Sequence, residues 1–236
     1  MFLLSEFFPL NGFAHESLWK TDGVLWDPLF SLEDYLKNYK HHIEIILPEN
    51  VTLKYPHLIS IGQGTTIEPN VYIEGPCIIG KNCTIRHGAY LRSNVILGDR
   101  VTVGHGSEVK NSVMMNQAVA AHLCYVGDSI LGPNANLGAG VKCSNLRLDR
   151  QEIYVKYQEQ KIHTGLVKLG SILGSGVQVG CNAVLNPGTF VGKDSFICPL
   201  MNIGGYIPSG VHIRPSQNWV VETRPEKILQ NLKKYV

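Results

Sequence analysis

The chain has 236 residues, 44% of them hydrophobic and 17% charged, enough for one sizeable core or one solenoid with short appendages. A net charge of +2 gives no general attraction to nucleic acid or to a membrane surface. None of the six cysteines, Cys77, Cys83, Cys124, Cys143, Cys181 and Cys198, forms a C-x-x-C pair, which argues against a zinc knuckle or redox motif and for reduced thiols in a cytoplasmic protein.

The N-terminal stretch MFLLSEFFPLNGFAHESLWK is apolar in patches. It has no basic leader, and Glu6 and Pro9 interrupt it well before the ~18 apolar residues of a membrane span, so a soluble, intracellular chain without a membrane partner is expected. Residues 1–45 lack any repeat and read as a small packed cap carrying Trp19, Trp26, Leu29 and Phe30. Ser31 as N-cap, Asp34 three residues on, and Leu32, Tyr35 and Leu36 on one face predict a short helix over 32–39.

From residue 46 to 215 the chain reads as a solenoid. Ile61, Ile67, Ile73, Ile79, Ile85, Leu91, Leu97, Val103 and Val109 fall six residues apart without a slip, and Met115 extends the series. This beat is neither a helix period nor strand alternation. It marks a hexapeptide-repeat solenoid, an all-β fold in which short strands turn a corner at each repeat and three repeats close one triangular coil of ~18 residues. Neighbouring coils then pair as parallel strands ~4.8 Å apart. Cys77 and Cys83, six apart, should occupy equivalent positions.

The beat breaks at MNQAVAAHLCYVGDSI, resumes at Leu131 and Leu137, and is lost again over a charged insertion, 144–168. An insertion of this length reads as a loop on one face, and that face is often the binding face. The beat returns with Leu173, Val179, Leu185, Val191, Ile197 and Ile203. Residues 216–236 predict a C-terminal helix over the open end: Thr223 and Glu226 have capping-box spacing, Pro225 lies in the first turn, and Ile228, Leu229 and Leu232 form an apolar stripe.

The strongest local signal is His122-Leu123-Cys124-Tyr125-Val126-Gly127-Asp128, followed by Asn134-Ala135-Asn136-Leu137-Gly138-Ala139-Gly140 and Asn145. It sits where the repeat falters and just before the insertion, and such local breaks gather at functional sites. The plain alternative is that His122 and Tyr125 fill a bend.

These segments resemble the acetyltransferase half of the bifunctional N-acetylglucosamine-1-phosphate uridyltransferase/glucosamine-1-phosphate acetyltransferases, and most of all their archaeal-type relatives. The likeness covers about 59–215 and is most specific near 107–145. It implies a left-handed parallel β-helix with short helical caps at its N- and C-terminal ends, although the ordinary crossover rule would favour the right hand. It implies a homotrimer with sites between neighbours, and acetyl-CoA as co-substrate. By position His122 resembles the family's general base, which frees an amine for attack on a thioester. Arg92 and Lys110, eighteen residues apart and therefore stacked, match the basic pair that holds a sugar phosphate; the alternative is two solvated charges. Tyr125, Asn136 and Asn145 match the groups that position the sugar and the reacting carbonyl. Cys181 and Pro199 fall at the acetyl-CoA contacts, with Arg214 in reach of a CoA phosphate.

The resemblance also has gaps. No G-x-G-T-R nucleotide loop is present and there is no room for a nucleotidyltransferase domain, so that activity is expected to be absent from this chain. The insertion is longer than in common bacterial members, and its Lys156, Lys161, His163 and Lys168 are further acceptor-contact candidates. The function so implied is acetyl transfer to the amine of glucosamine 1-phosphate or a similar amino-sugar phosphate, in amino-sugar nucleotide synthesis, with no metal. The competing readings are acyl transfer to a nucleotide-linked amino sugar, a non-catalytic scaffold, and a metal-dependent carbonic anhydrase built on His87, His105 and His122, whose H-x4-H pair is missing.

Overall fold

The computed structural model describes residues 2–20, 23–157 and 159–216. Three eight-stranded parallel sheets run its length, each coil contributing one strand to each. In chain order the first coil lays Thr52–Lys54 in sheet I, Ile59–Ile61 in sheet II and Thr66–Ile67 in sheet III, and Tyr72–Glu74 then returns to sheet I beside Thr52–Lys54. The parallel β-helix expected from the six-residue beat is therefore what the chain forms. Its left hand follows from the resemblance.

The interior is a column of aliphatic side chains, Ile61, Ile79 and Leu97 from sheet II, Ile67, Ile85 and Val103 from sheet III, and Ile73, Leu91 and Val109 from sheet I. Cys77 and Cys83 fill equivalent inward positions. Close stacking leaves some positions no room for a side chain. At Gly104 a Cβ would lie 1.6 Å from the Ala121 carbonyl oxygen of the next coil, so only glycine lets the two coils approach there.

The beat does not end at residue 109 but shortens. Leu97 pairs with Met114, seventeen residues on, and Met114 with Leu131, again seventeen. Met114 therefore points inward, while Met115, the expected continuation, lies in a second, outer core. The turns through Asn111 and Asp128, both at positive φ, use one residue fewer than the Ser93-Asn94 turn. Ala120 and Val126 keep the inward positions across the apparent break.

The outer core corrects the expected N-terminal cap. Residues 2–39 do not sit over the end of the solenoid but lie along sheet II. Phe7, Phe8, Trp26, Leu29, Leu32 and Leu36 cover its outward Ile78, Ile96, Val113, Ile130, Ile172 and Phe190. Ser175 N–H donates to the Phe7 carbonyl at 2.7 Å and Asn116 Nδ2 to the Gly12 carbonyl at 2.9 Å. The segment thus descends the helix before Ile43 bridges to Ile61 and the coils begin. Its helix, α1, spans Pro28–Lys37 rather than 32–39. Proline at the first turn sets the start, and Asp27 precedes it without a side-chain cap bond, so Ser31 is helix interior. The expected C-terminal helix, with Thr223, Glu226 and Leu232, lies outside the described residues.

His15 ties this segment down. It is 5% exposed, with Nδ1 2.8 Å from the Tyr35 hydroxyl, and burial pushes its pKa from 6.5 down to about 4 against a weaker opposing pull from Asp99. The folded ring stays neutral where the unfolded chain would bind a proton. This stabilisation is whole above pH 6.5 and is lost as the pH falls towards 4, by about 3 kcal/mol. Thermal unfolding should therefore drop more steeply with acidification in the wild type than in His15→Gln, and parallel curves would contradict it.

The insertion is more ordered than a loop. Tyr154–Tyr157 and Gln160–His163 form an antiparallel hairpin, closed at its base by a Leu146–Lys168 bridge. Ile153 and Val155 join the outer core, and Trp26 Nε1 donates to the Thr164 carbonyl at 2.9 Å. The hairpin thus folds onto the flank of sheet II. Among the described residues no helix is long and apolar enough to cross a membrane.

Candidate active site

With sheet II covered, the outward faces of sheets I and III are left open. On sheet I, residues alternate in and out along each short strand, so Glu108 and Lys110 flank inward Val109 on the outer side. Register sets Tyr90, Glu108, Tyr125 and Lys142 in one column. Arg92, Lys110 and Gly127 form the next, with Arg92 N–H donating to the Val109 carbonyl at 2.9 Å. Gly127 leaves room for Tyr125, whose hydroxyl would lie 2.6 Å from a Cβ there.

Two cations on this face already have a carboxylate. Arg92 donates to Glu108 at 2.8 Å and Lys110 to Asp128 at 3.0 Å. Asp128 is the hub. Its side chain is 5% exposed, and it also accepts from Asn111 at 2.8 Å and from Asn145. Its left-handed backbone, φ +48, turns the carboxylate into the corner, a conformation aspartate tolerates better than most residues. The guanidinium and ammonium keep further N–H donors for a ligand. Burial and the nearby Asp128 and Glu108 charges push the Tyr125 phenol pKa up, with Arg92 and Asn145 opposing, so the hydroxyl stays a donor.

His122 ends the strand Val119–His122, at the edge where sheet III turns into sheet I. Its ring is exposed and has no hydrogen-bond partner among the described residues. The next residue, Leu123, sits at φ +52, where neighbouring coils use glycine or asparagine. Lys142 Nζ holds this corner by donating to the carbonyls of Leu123 at 3.0 Å and Gly140 at 2.7 Å. Backbone bonds at 2.8–2.9 Å stack one residue per coil along the edge: His105, His122, Ala139, Cys181, Pro199.

The structure therefore brings some expected site residues together and separates others. Arg92, Lys110, Tyr125 and Asn145 share the outer side of sheet I and its corner with sheet II. His122, Cys181 and Pro199 share the III/I edge. Asn136 lies on sheet III, between Val119 and Gln178, and Arg214 follows the sheet III strand His212–Ile213. Lys161 lies 3.7 Å over the Tyr154 ring, His163 beside Glu152, and Lys156 opposite Lys161, all on the hairpin itself. Lys168 stays at the insertion's base. Clefts of about 290 Å³, lined by His15, His42 and Asp99 among others, and about 340 Å³, lined by Trp26 and Ile162 among others, lie along the N-terminal segment; the sheet I face is open surface.

Glu108, Asp128, Asn111 and Lys142 were missed as site residues. The signal for Glu108 was present, two residues before Lys110 and therefore on the same side of the strand; Asp128 follows Gly127, which stacks on Lys110 one seventeen-residue coil on. His87 and His105 stack as their spacing implies, ring centroids 5.6 Å apart and planes at 14°. Rings stacked face to face keep their in-plane lone pairs in separate planes, so this pair does not converge on one ion, and among the described residues no group of three or more His, Cys, Asp or Glu could hold a metal.

The family described as the GMPPB C-terminal domain matches residues 73–194, just over half of the sequence, with Arg92, Lys110, His122, Tyr125 and Asn145 inside the match. The chain belongs to that family. It is also 33% identical over 215 residues to the "Bifunctional protein GlmU" of Methanococcus aeolicus, covering 91% of this chain and 52% of that protein. To the "Bifunctional sugar-1-phosphate nucleotidylyltransferase/acetyltransferase" of Sulfurisphaera tokodaii it is 40% identical over 78 residues, 33% of this chain and 20% of that one. The chain thus spans about half the length of the Methanococcus protein, and the likeness to the bifunctional family read from the sequence is borne out. Among solved structures, the polySia specific acetyltransferase NeuO aligns with a TM-score of 0.39 and 13% identity, over 80% of this chain and 100% of that one.

Proposed function

We propose that this chain transfers an acetyl group from acetyl-CoA to the amine of glucosamine 1-phosphate or a close amino-sugar phosphate, as a homotrimer with its sites between neighbours. The observation that carries the reading is the outward face of sheet I, where Arg92 and Lys110 stack beside Glu108 and Asp128 and lead to His122 at the edge. An amino-sugar phosphate carries both a phosphate dianion and an ammonium, and this face offers both complementary charges within adjacent coils.

In this mechanism the phosphate binds the spare N–H groups of Arg92 and Lys110. Tyr125 and Asn145 donate to the sugar. His122 takes the ammonium proton and releases it to solvent, the amine attacks the thioester carbonyl, His122 takes the second nitrogen proton, and the tetrahedral intermediate expels the CoA thiolate, which receives that proton from His122. An amide, a thiol and one released proton form from an ammonium and a thioester; no metal is needed. The donor follows the edge of Ala139, Cys181 and Pro199 towards Arg214. Asn136 faces away from Arg92 across the prism, so it reaches the acceptor only from a second copy. Sheet II is already covered, so copies must meet through sheets I and III, which joins Asn136 of one to the Arg92–Lys110 face of another.

The test is release of free thiol from acetyl-CoA with and without glucosamine 1-phosphate. Arg92→Ala and Lys110→Ala are each expected to raise the acceptor KM about tenfold or more, with a smaller change in kcat; an unchanged KM would remove the phosphate assignment. A second reading, a nucleotide-linked acceptor, is favoured by Tyr72 and Tyr90. These rings meet edge to face at 5.4 Å on the same side of sheet I, Tyr90 one coil and Tyr72 two coils from Glu108, and offer a base a stacking surface. Activity only with a nucleotide-linked amino sugar would select it.

A further inference from the structure

Four of the six thiols are locked away. Cys77, Cys83, Cys124 and Cys143 are buried, and burial pushes all four pKa values up, that of Cys83 to about 11 and that of Cys143 to about 12. Such thiols are inert. Cys181 is exposed on the III/I edge. Cys198 differs from all of these: it is half-buried and its Sγ lies 3.2 Å from His212 Nε2.

The pair is held from several sides. Phe196 pairs with His212 and Ile197 with Ile213, and Cys198 N–H donates to the Ile213 carbonyl at 2.9 Å. The Phe196 ring meets the His212 ring edge to face at 6.3 Å. The same register sets Arg214 opposite Cys198 along the backbone. A thiol within hydrogen-bonding reach of an oriented imidazole is the arrangement of an activated nucleophile.

We propose that Cys198 is a nucleophilic thiol with His212 as its base, and that it is a modification site for a low-molecular-weight disulfide. His212 Nε2 takes the thiol proton and the Cys198 sulfur attacks one sulfur of the disulfide. The S–S bond breaks, and the departing thiolate takes the proton back from His212. One disulfide is consumed, one mixed disulfide and one thiol are formed, and no further oxidant is required. Cys198 adjoins the Cys181–Pro199 edge, so an adduct stands on the path given to the acetyl donor; that consequence alone rests on the proposed function.

The experiment exposes the full chain to oxidised glutathione, quenches with acid and maps adducts by peptide mass. Cys198 is expected to react about tenfold or more faster than Cys181, and His212→Gln to slow it about tenfold. Cys198→Ser should leave no fast adduct. In denaturant the preference should collapse to about one, since it belongs to the fold. Equal native rates at Cys181 and Cys198, a preference that survives unfolding, or an unchanged rate in a His212→Gln protein with wild-type thermal unfolding would each overturn the proposal. An adduct that leaves the KM for acetyl-CoA unmoved would overturn the donor path and not the thiol chemistry.

Discussion

His122→Ala is expected to lower acceptor-dependent thiol release from acetyl-CoA about a thousandfold, mostly in kcat, while thermal unfolding stays where it was. The two halves of this prediction have separate causes. An ammonium cannot attack a carbonyl, so without a base only the small free-amine fraction reacts. The imidazole itself is exposed and makes no hydrogen bond among the described residues, so the fold loses little with it. What positions the ring is backbone: Leu123 at φ +52, its N–H on the His105 carbonyl at 2.8 Å and its carbonyl under Lys142. The left-handed conformation costs a leucine about 1 kcal/mol, and these bonds hold it. A His122→Ala protein that kept most of its activity would mean that the base lies elsewhere.

Asp128→Ala should show the opposite signature, a loss of stability together with a loss of acceptor binding. The carboxylate accepts from Lys110, Asn111 and Asn145. Without it a lysine whose side chain is 17% exposed and two amides are left facing a void. Removing one partner of a largely buried pair costs about 3 kcal/mol, because the remaining charge keeps its desolvation penalty. For a chain of this size that corresponds to about 10 °C in Tm. Lys110 and Asn145 would also lose their fixed positions, so the acceptor KM should rise. Asp128→Asn keeps one acceptor oxygen and should fall between. A Tm within about 2 °C of wild type would show that the three donors find other partners.

Asp128 also shows how far the sequence could be read. It stands inside the segment that carried the family likeness, and its nearness to Lys110 follows from a coil of seventeen or eighteen residues, although the register stacks Gly127 there and sets Asp128 one residue on. That three donors converge on it does not, because Asn111 and Asn145 come from the coils on either side through shortened turns. Those turns hid the inward residues too. A fixed stride of six runs from Ile61 to Val109 and then selects Met115, whereas the coil selects Met114, and Ala120 and Val126 continue a series that seemed broken. The apolar partners of the N-terminal segment were likewise visible: Cys77-Ile78-Ile79, Val95-Ile96-Leu97 and Thr189-Phe190-Val191 are buried throughout, and an unbroken apolar strand signals burial on both faces.

By itself the sequence determined the β-helix, the residues that stack from coil to coil, and the family. In a solenoid each residue's partners lie one coil away along the chain, so every coil repeats the same demand and leaves a periodic trace. Only the tertiary structure decided that residues 2–39 run along sheet II instead of capping an end, that the insertion folds as a hairpin onto the same flank, and that Asn136 and the Arg92–Lys110 pair fall on different faces. Phe7 on Ser175 and Trp26 on Thr164 are each made once, across more than a hundred residues. A contact made once leaves no period to read, and it forms only when the outer apolar row of sheet II has been assembled for it to cover.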